Sequence, residues 1–391
     1  MKNNRMSKRK KIIRRRRITV GIIGVFLLSA IGFTSYKILN KSSTKDNVSE
    51  ENVSEENDKN NTENVNIKMP EVEKKEILIT SAGDCTLGTD TNFGYEGSFQ
   101  YELDIYNNDY SHIMSNVKNI FENDDYTIVN LETTFTESYI KAYKGEGVVY
   151  NFKGPKEYVN ILTSSSIEGV TVSNNHIYDY GEEGFKDTID TLRENNLDYC
   201  GEGYKILKEI KGIKIGFLGY QGWIDSEELK NTIREDIKEL RDNGAKIIIP
   251  YFHWGEEKAF EPNETQMNLA RYSIDSGADM VLGSHSHVIG TLENYKGKLI
   301  AYSLGNFSFG GNFNPSDKRT FILQSKFDFE NDEIVKIQHK IIPTLISSVE
   351  YKNDYVPTVA NGKIKEEIIS TLNELSPTMK GIITNDFFIL E

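Results

Sequence analysis

The sequence predicts an α/β domain with a mixed sheet, and three patterns carry that prediction. Short apolar, β-prone runs alternate with stretches of helical spacing. Two pairs of runs fold back around Lys211-Gly212 and Lys296-Gly297, as hairpins do. Five runs end directly on Asp, Glu, Asn or His, where the loops of such folds gather ligands.

The chain of 391 residues opens with a segment unlike the rest. Residues 1–17 hold ten of the 46 Lys and Arg and no acid, which leaves 36 basic against 59 acidic residues, a net charge of −23, on the remainder. An acidic body of that size is repelled by nucleic acid and by anionic lipid. Ile18 to Tyr36 is free of charge; its nineteen residues as a helix cover roughly 28 Å, close to the hydrocarbon thickness of a bilayer. With the basic flank cytoplasmic, the body lies on the far side. A cleaved signal peptide is the rival reading, disfavoured because no A-x-A site follows Leu28. The expected organisation is therefore a cytoplasmic tail at 1–17, a transmembrane signal anchor at 18–39, a disordered linker at 40–75 and an extracytoplasmic domain at 76–391. The linker reading rests on a Ser, Asn, Glu and Lys composition that repeats V-S-E-E-N at Val48–Asn52 and Val53–Asn57.

Within the domain, Ile77–Thr80 reads as a strand ending in Gly83-Asp84, then a helical stretch near Ser111–Asn123, then a strand Tyr126–Val129 ending in Asn130-Leu131-Glu132. Pro155 opens a helix, and Val170–Val172 ends in Asn174-Asn175-His176. Helical spacing returns at Gly184–Asn195, at Glu227–Asn243 before Gly244, and at Asn263–Ser276 before Gly277. Ile247–Phe252 ends in His253, and Met280–Leu282 runs into Gly283-Ser284-His285-Ser286-His287. Cys85 and Cys200 are 115 residues apart and read as unpaired small side chains.

The chemistry lies at those strand ends. His285 and His287 are two apart in a loop, which lets both imidazoles reach one centre; His253 and His176 each close another strand. Asp84 and Glu132 add anionic oxygen, and Asn175 an amide oxygen. Imidazole with carboxylate suits Mn, Fe or Zn, as one ion or two bridged by a carboxylate. His112 and His339 lack such a context and read as structural. Lys141, Lys144 and Lys318-Arg319 are candidates for a local basic rim or for solvated surface charge. Trp254 is a candidate for a groove wall or for the core.

The set Gly83-Asp84, Asn130-Leu131-Glu132, Asn174-Asn175-His176, His253-Trp254-Gly255-Glu256 and Gly283-Ser284-His285-Ser286-His287 resembles the CapA (PgsA) family, as do Asp275–Asp279 and Tyr302–Phe307. The resemblance covers roughly Ile77 to Phe309. It implies a calcineurin-like metallophosphoesterase fold, a four-layer α/β/β/α sandwich, and a part in poly-γ-glutamate capsule synthesis. It also implies Asp84, Glu132, Asn175, His253, His285 and His287 as metal ligands and His176 as general acid or substrate-stabilising imidazole. Phosphoesterases of this fold begin with Asp-x-His, whereas this chain has Asp84-Cys85-Thr86, and it has Glu132 where they offer a bridging Asp. Three functions follow as expectations: a metal-dependent hydrolase or transferase of capsule polymer, a non-catalytic subunit that guides polymer, or a general extracellular phosphoesterase. Capsule synthase subunits, a polyanionic polymer and the membrane are the expected partners.

Overall fold

In the computed structural model the described residues are 72–390, so the expected tail, anchor and most of the linker lie outside them. Among the described residues no helix is long and apolar enough to cross a membrane. Strand β1 (Lys74–Thr86) begins two residues before the expected domain start, because Lys74 and Lys75 already pair with Glu330 and Phe329. It is followed by β2 (Thr89–Asp90), β3 (Tyr126–Leu131), β4 (Thr134–Phe135), β5 (Phe152–Gly154), β6 (Gly169–Thr171), β7 (Asp198–Cys200), β8 (Lys205–Ile210) and β9 (Ile213–Gln221). The second half adds β10 (Ile247–His253), β11 (Val281–Ser284), β12 (Leu292–Tyr295), β13 (Lys298–Ala301), β14 (Asn306–Phe309), β15 (Arg319–Glu330), β16 (Glu333–Leu345) and β17 (Thr358–Val359). The helices are α1 (Phe99–Ile105), α2 (Lys118–Phe121), α3 (Val159–Thr163), α4 (Gly181–Glu194), α5 (Glu227–Asp242), α6 (Glu264–Asp275) and α7 (Gly362–Leu375).

A small sheet of order β2-β5-β4 and two large mixed sheets result. The larger has the order β17-β16-β15-β1-β3-β6-β7, with β1, β3, β6 and β7 parallel. β15 pairs with β1 as far as Ser81, and β14 pairs with it from Asp84. The smaller sheet has the order β12-β13-β11-β10-β9-β8, parallel inside and closed at each edge by an expected hairpin. Both hairpin turns have two residues of positive φ, Lys211 (51°) with Gly212 (79°) and Lys296 (55°) with Gly297 (75°), the twist-matched turn for two-residue hairpins.

Adjacent residues on a strand face opposite ways, and that alternation builds three cores. Ile77, Ile79 and Ile128 of the larger sheet meet Ile215, Phe217, Ile249 and Leu282 of the smaller between the sheets. Val129 and Val170 instead face Phe99, Leu103, Ile161 and Leu192 of the helices on the larger sheet's outer side. Ile248, Phe252 and Val281 face Ile233, Ile237 and Leu240 of α5 and Leu269 and Ile274 of α6. All three cores close within one unit, Pro70–Glu391, which thus holds what it needs to fold by itself. Helix starts follow local chemistry: the Ser226 hydroxyl caps α5, and Asn263 with Gln266 forms a capping box on α6.

One expectation changes. Ser111–Asn123 is not one helix but a turn at Tyr110–His112 and the short α2, joined by tight bonds such as Ser115 N to His112 O and Val117 N to Met114 O. Val117 offers no side-chain cap, and Asn116, Asn119 and Asn123 are weak helix formers. Beyond Phe309, β15 and β16 form a long hairpin inside the larger sheet, turned at Asn331-Asp332 with both φ positive.

His339 on β16 is fully buried, with Ser325 Oγ 2.9 Å from Nδ1, and burial pushes its pKa down to about 3. The unfolded imidazole takes its proton near 6.5, so the stability at stake is complete above that pH and is lost as pH falls toward 3. Urea titrations of wild type and His339→Leu at pH 7 and pH 4.5 test this. Wild type is expected to lose about 1.4 kcal/mol per pH unit more than the variant.

Candidate metal centre

The five chemistry-bearing motifs sit at the C-terminal ends of five parallel strands: β1, β3 and β6 in the larger sheet, β10 and β11 in the smaller. β1 delivers Asp84 through an irregularity at Gly83, where its register to β3 shifts. Gly83 is required there: a Cβ would lie 1.8 Å from Gly305 O. The same approach lets Asp84 N donate to Gly305 O at 2.9 Å.

Glu132, one residue past β3, is the hub. It is fully buried, and its Oε1 has no hydrogen-bond partner. Around that oxygen stand His253 Nε2 at 3.5 Å, His176 Nε2 at 4.0 Å and His287 Nε2 at 4.0 Å. Two ligand-like groups share the carboxylate: Glu132, His253 and His285 in one, Asp84, Glu132 and His287 in the other. Asn175 joins the first, its Oδ1 being 2.6 Å from His253 Nε2, which is also 3.0 Å from His285 Nδ1. One N–H cannot satisfy an amide oxygen, an imidazole nitrogen and a carboxylate at once, so the converging lone pairs call for a cation.

His253, Asp84 and His287 are held from behind. His253 Nδ1 lies 3.1 Å from Ser284 Oγ and 3.2 Å from Asn130 Nδ2, and Asn130 also donates to Asp84 Oδ1 at 2.7 Å. Asn174 braces Asn130 Oδ1 at 3.1 Å. His287 Nδ1 lies 2.8 Å from Asn306 Oδ1 and 3.4 Å from Asp84 Oδ2. His285 and His287 sit at φ 93° and 59°, a left-handed backbone that turns both rings to the same centre. Such backing fixes imidazole orientation in metal sites.

His176 is placed differently. Its Nδ1 is 2.7 Å from Asp179 Oδ2, Lys144 closes an ion pair with Asp179, and Lys144 Nζ is 3.2 Å from the same Nδ1. Nε2 is the nitrogen left toward Glu132.

The buried acids and imidazoles shift one another's proton affinity. Burial and then Asp84 push the Glu132 carboxyl well above its usual range. Burial lowers His253 far below 6.5 and His285 to about 4, with His287 and its neighbours adding repulsion. Burial pulls His287 down as well, yet Glu132 and Asp84 outweigh it and hold it up at about 9. On donor chemistry, burial and the orphaned Glu132 oxygen, the residues fit a divalent metal.

The bacterial capsule synthesis protein PGA_cap family matches residues 78–311. The chain belongs to this family. The PGA biosynthesis protein CapA of Bacillus subtilis (strain 168) is 33% identical over 217 residues, 50% of this chain and 56% of that protein. The capsule biosynthesis protein CapA of Bacillus anthracis is 29% identical over 259 residues, 61% of each. A probable polyglutamine synthesis accessory protein of Mycobacterium tuberculosis (strain ATCC 25618 / H37Rv) is 26% identical over 211 residues, 46% of this chain and 55% of that protein. The match thus spans less than two thirds of each relative's length.

Asp84, Glu132, Asn175, His253, His285 and His287 of this PGA_cap protein are thus brought together, with His176 at the rim of the set. Sequence reasoning assigned no role to Asn130, Asp179, Asn306 or Trp223, although Asn130 and Asn306 lie within motifs it singled out. Trp223 stands edge-on to His285 at 4.7 Å and to His253 at 5.8 Å. Trp254 is core, not groove: it is fully buried, stacked on Phe252, and donates to Tyr302 O at 2.9 Å. Lys318-Arg319 forms no rim, because Lys318 is spent on the carbonyls of Val349, Glu350 and Lys352, and Arg319 on Asp317. Lys141 pairs with Asp90 and Lys144 with Asp179, so neither is free surface charge. Cys85 and Cys200 are buried and unpaired, as expected.

Proposed function

We propose that this chain is a membrane-anchored, extracytoplasmic CapA-like protein that acts in poly-γ-glutamate capsule synthesis or export through a metal-dependent, phosphoesterase-like hydrolase site. Glu132 Oε1, buried, unpartnered and ringed by imidazoles from three loops, carries the reading. The family match and the names of the Bacillus relatives support the capsule role. The basic residues 1–17 before the charge-free run at 18–36 support the anchor.

Glu132, His253, His285 and Asn175 would hold one ion of Mn, Fe or Zn, and Asp84, Glu132 and His287 a second. When bound, such ions supply Lewis acidity and lower the pKa of water. The chain's own residues do the rest. Asp179, 2.7 Å from His176 Nδ1, keeps the proton on that nitrogen in the neutral ring and fixes its orientation. His176 Nε2 then faces the centre, placed to exchange a proton with a leaving oxygen. Lys144 balances the charge of Asp179. Bound cations would also offset the acidic body's repulsion of a polyanionic polymer, with capsule synthase subunits as further partners.

One observation favours a non-catalytic, polymer-guiding subunit instead. Thr86 stands where the Asp-x-His histidine of phosphoesterases would be, and its hydroxyl lies 3.4 Å from Glu132 Oε2, leaving the second group three ligands. His176→Ala separates the two readings. In a strain that depends on this chain for polymer, the hydrolase reading expects at least about a 100-fold loss of polymer at normal protein level. Wild-type polymer would leave the guiding reading.

A further inference from the structure

Of the eighteen exposed large hydrophobic side chains among the described residues, six fall between Tyr139 and Tyr150: Tyr139, Ile140, Tyr143, Val148, Val149 and Tyr150. Tyr139, Tyr143 and Val148 are more than 80% exposed. The loop that carries them has no helix or strand, yet its base is bolted down. Lys141 pairs with Asp90, Ala142 N donates to Asp179 O at 2.8 Å, and Lys144 reaches Asp179 and Tyr150 O. Asn151 N donates to Asp90 at 2.6 Å. Apart from the exposed Glu146, which accepts from Tyr143 Oη at 3.1 Å, the charged groups point inward and the apolar groups outward, the reverse of a loop solvated by water.

We propose that the loop Tyr139–Tyr150 is a membrane-docking element that inserts its tyrosines and aliphatic side chains into the interface of an uncharged lipid surface. Three observations choose lipid over a protein partner. Both lysines of the loop are neutralised internally, and Lys153, over the Tyr139 ring at 4.5 Å, is a lone cation held by Ser138 O, so no basic patch is left to read an acidic protein or an anionic headgroup. The body's net charge of −23 repels anionic surfaces, and Tyr beside Ile and Val is the composition of a membrane interface. The charge-free run at 18–36, read as a membrane span, would tether the domain to a bilayer. That last argument rests on the anchored reading above. Because Lys144 ties the loop to His176 and Asp179, docking there would bring His176 toward the lipid.

The test uses residues 70–391, which lack the run at 18–36, so loop and anchor are judged separately; the anchor is judged by membrane fractionation of the full chain. Flotation with phosphatidylcholine vesicles is expected to carry the wild-type fragment. The combined Tyr139→Ser, Ile140→Ser, Tyr143→Ser, Val148→Ser variant should bind at least about 10-fold less at an unchanged melting temperature. Val148→Glu alone gives a smaller loss in the same direction should the fourfold variant lose its fold. Wild type that floats no better than these variants overturns the proposal in favour of a protein partner. Binding that needs phosphatidylglycerol and vanishes in salt overturns it too.

Discussion

Replacing Glu132 by Gln is expected to empty both halves of the metal centre while making the metal-free protein more stable. The carboxylate is shared by the two ligand groups, so losing its charge weakens both, whereas Asp84→Asn touches only one. Partners that merely back a ligand change metal affinity about 10–100-fold, so removal of the shared anion should exceed about 100-fold. Without metal the sign reverses. Glu132 is buried beside Asp84, which drives its carboxyl toward the neutral form, and an uncharged amide relieves that cost. Melting in EDTA should therefore favour Glu132→Gln, and melting in excess Mn or Zn should favour wild type. A variant that loses stability in both conditions would make Glu132 a structural acid instead.

Gly83→Ala is expected to cost about 3 kcal/mol or more and to abolish the centre with it. Its Cβ would meet Gly305 O at 1.8 Å and Gly305 C at 2.9 Å, and both are backbone atoms of the segment leading into β14. No side chain can swing away. β1 and β14 must part, which breaks the Asp84 N to Gly305 O bond and withdraws Asp84 from Asn130 and His287. Overpacking usually costs about 1–3 kcal/mol, and a rigid backbone partner puts this site at the upper end or beyond. Urea unfolding with metal analysis checks both halves, and an Ala variant with wild-type stability would contradict the close approach.

Much of this centre was readable because it is written at strand ends. Parallel strands gather their C-terminal loops in space, so Asp84, Glu132, His176, His253 and His285, scattered over two hundred residues, announce one site. The Lys-Gly hairpins and the glycine stops after α5 and α6, Gly244 and Gly277, were legible for the same reason, since their signals are local. What escaped is non-local. Asn306 meets His287 only because β14 pairs with the end of β1, and Lys144 meets Asp179 only through the fold of the loop that carries it. The β15–β16 hairpin joins the larger sheet 240 residues and more after β1, with only its Asn331-Asp332 turn to signal it. The helix expected at Ser111–Asn123 failed where spacing was right but capping and propensity were not.

Anomalous diffraction at the Mn, Fe and Zn edges from crystals of residues 70–391 tests the central claim most directly. The account predicts a peak among His253, His285 and Glu132, with any second peak among Asp84, Glu132 and His287. Crystals equilibrated with all three metals that show no peak among these residues would contradict it.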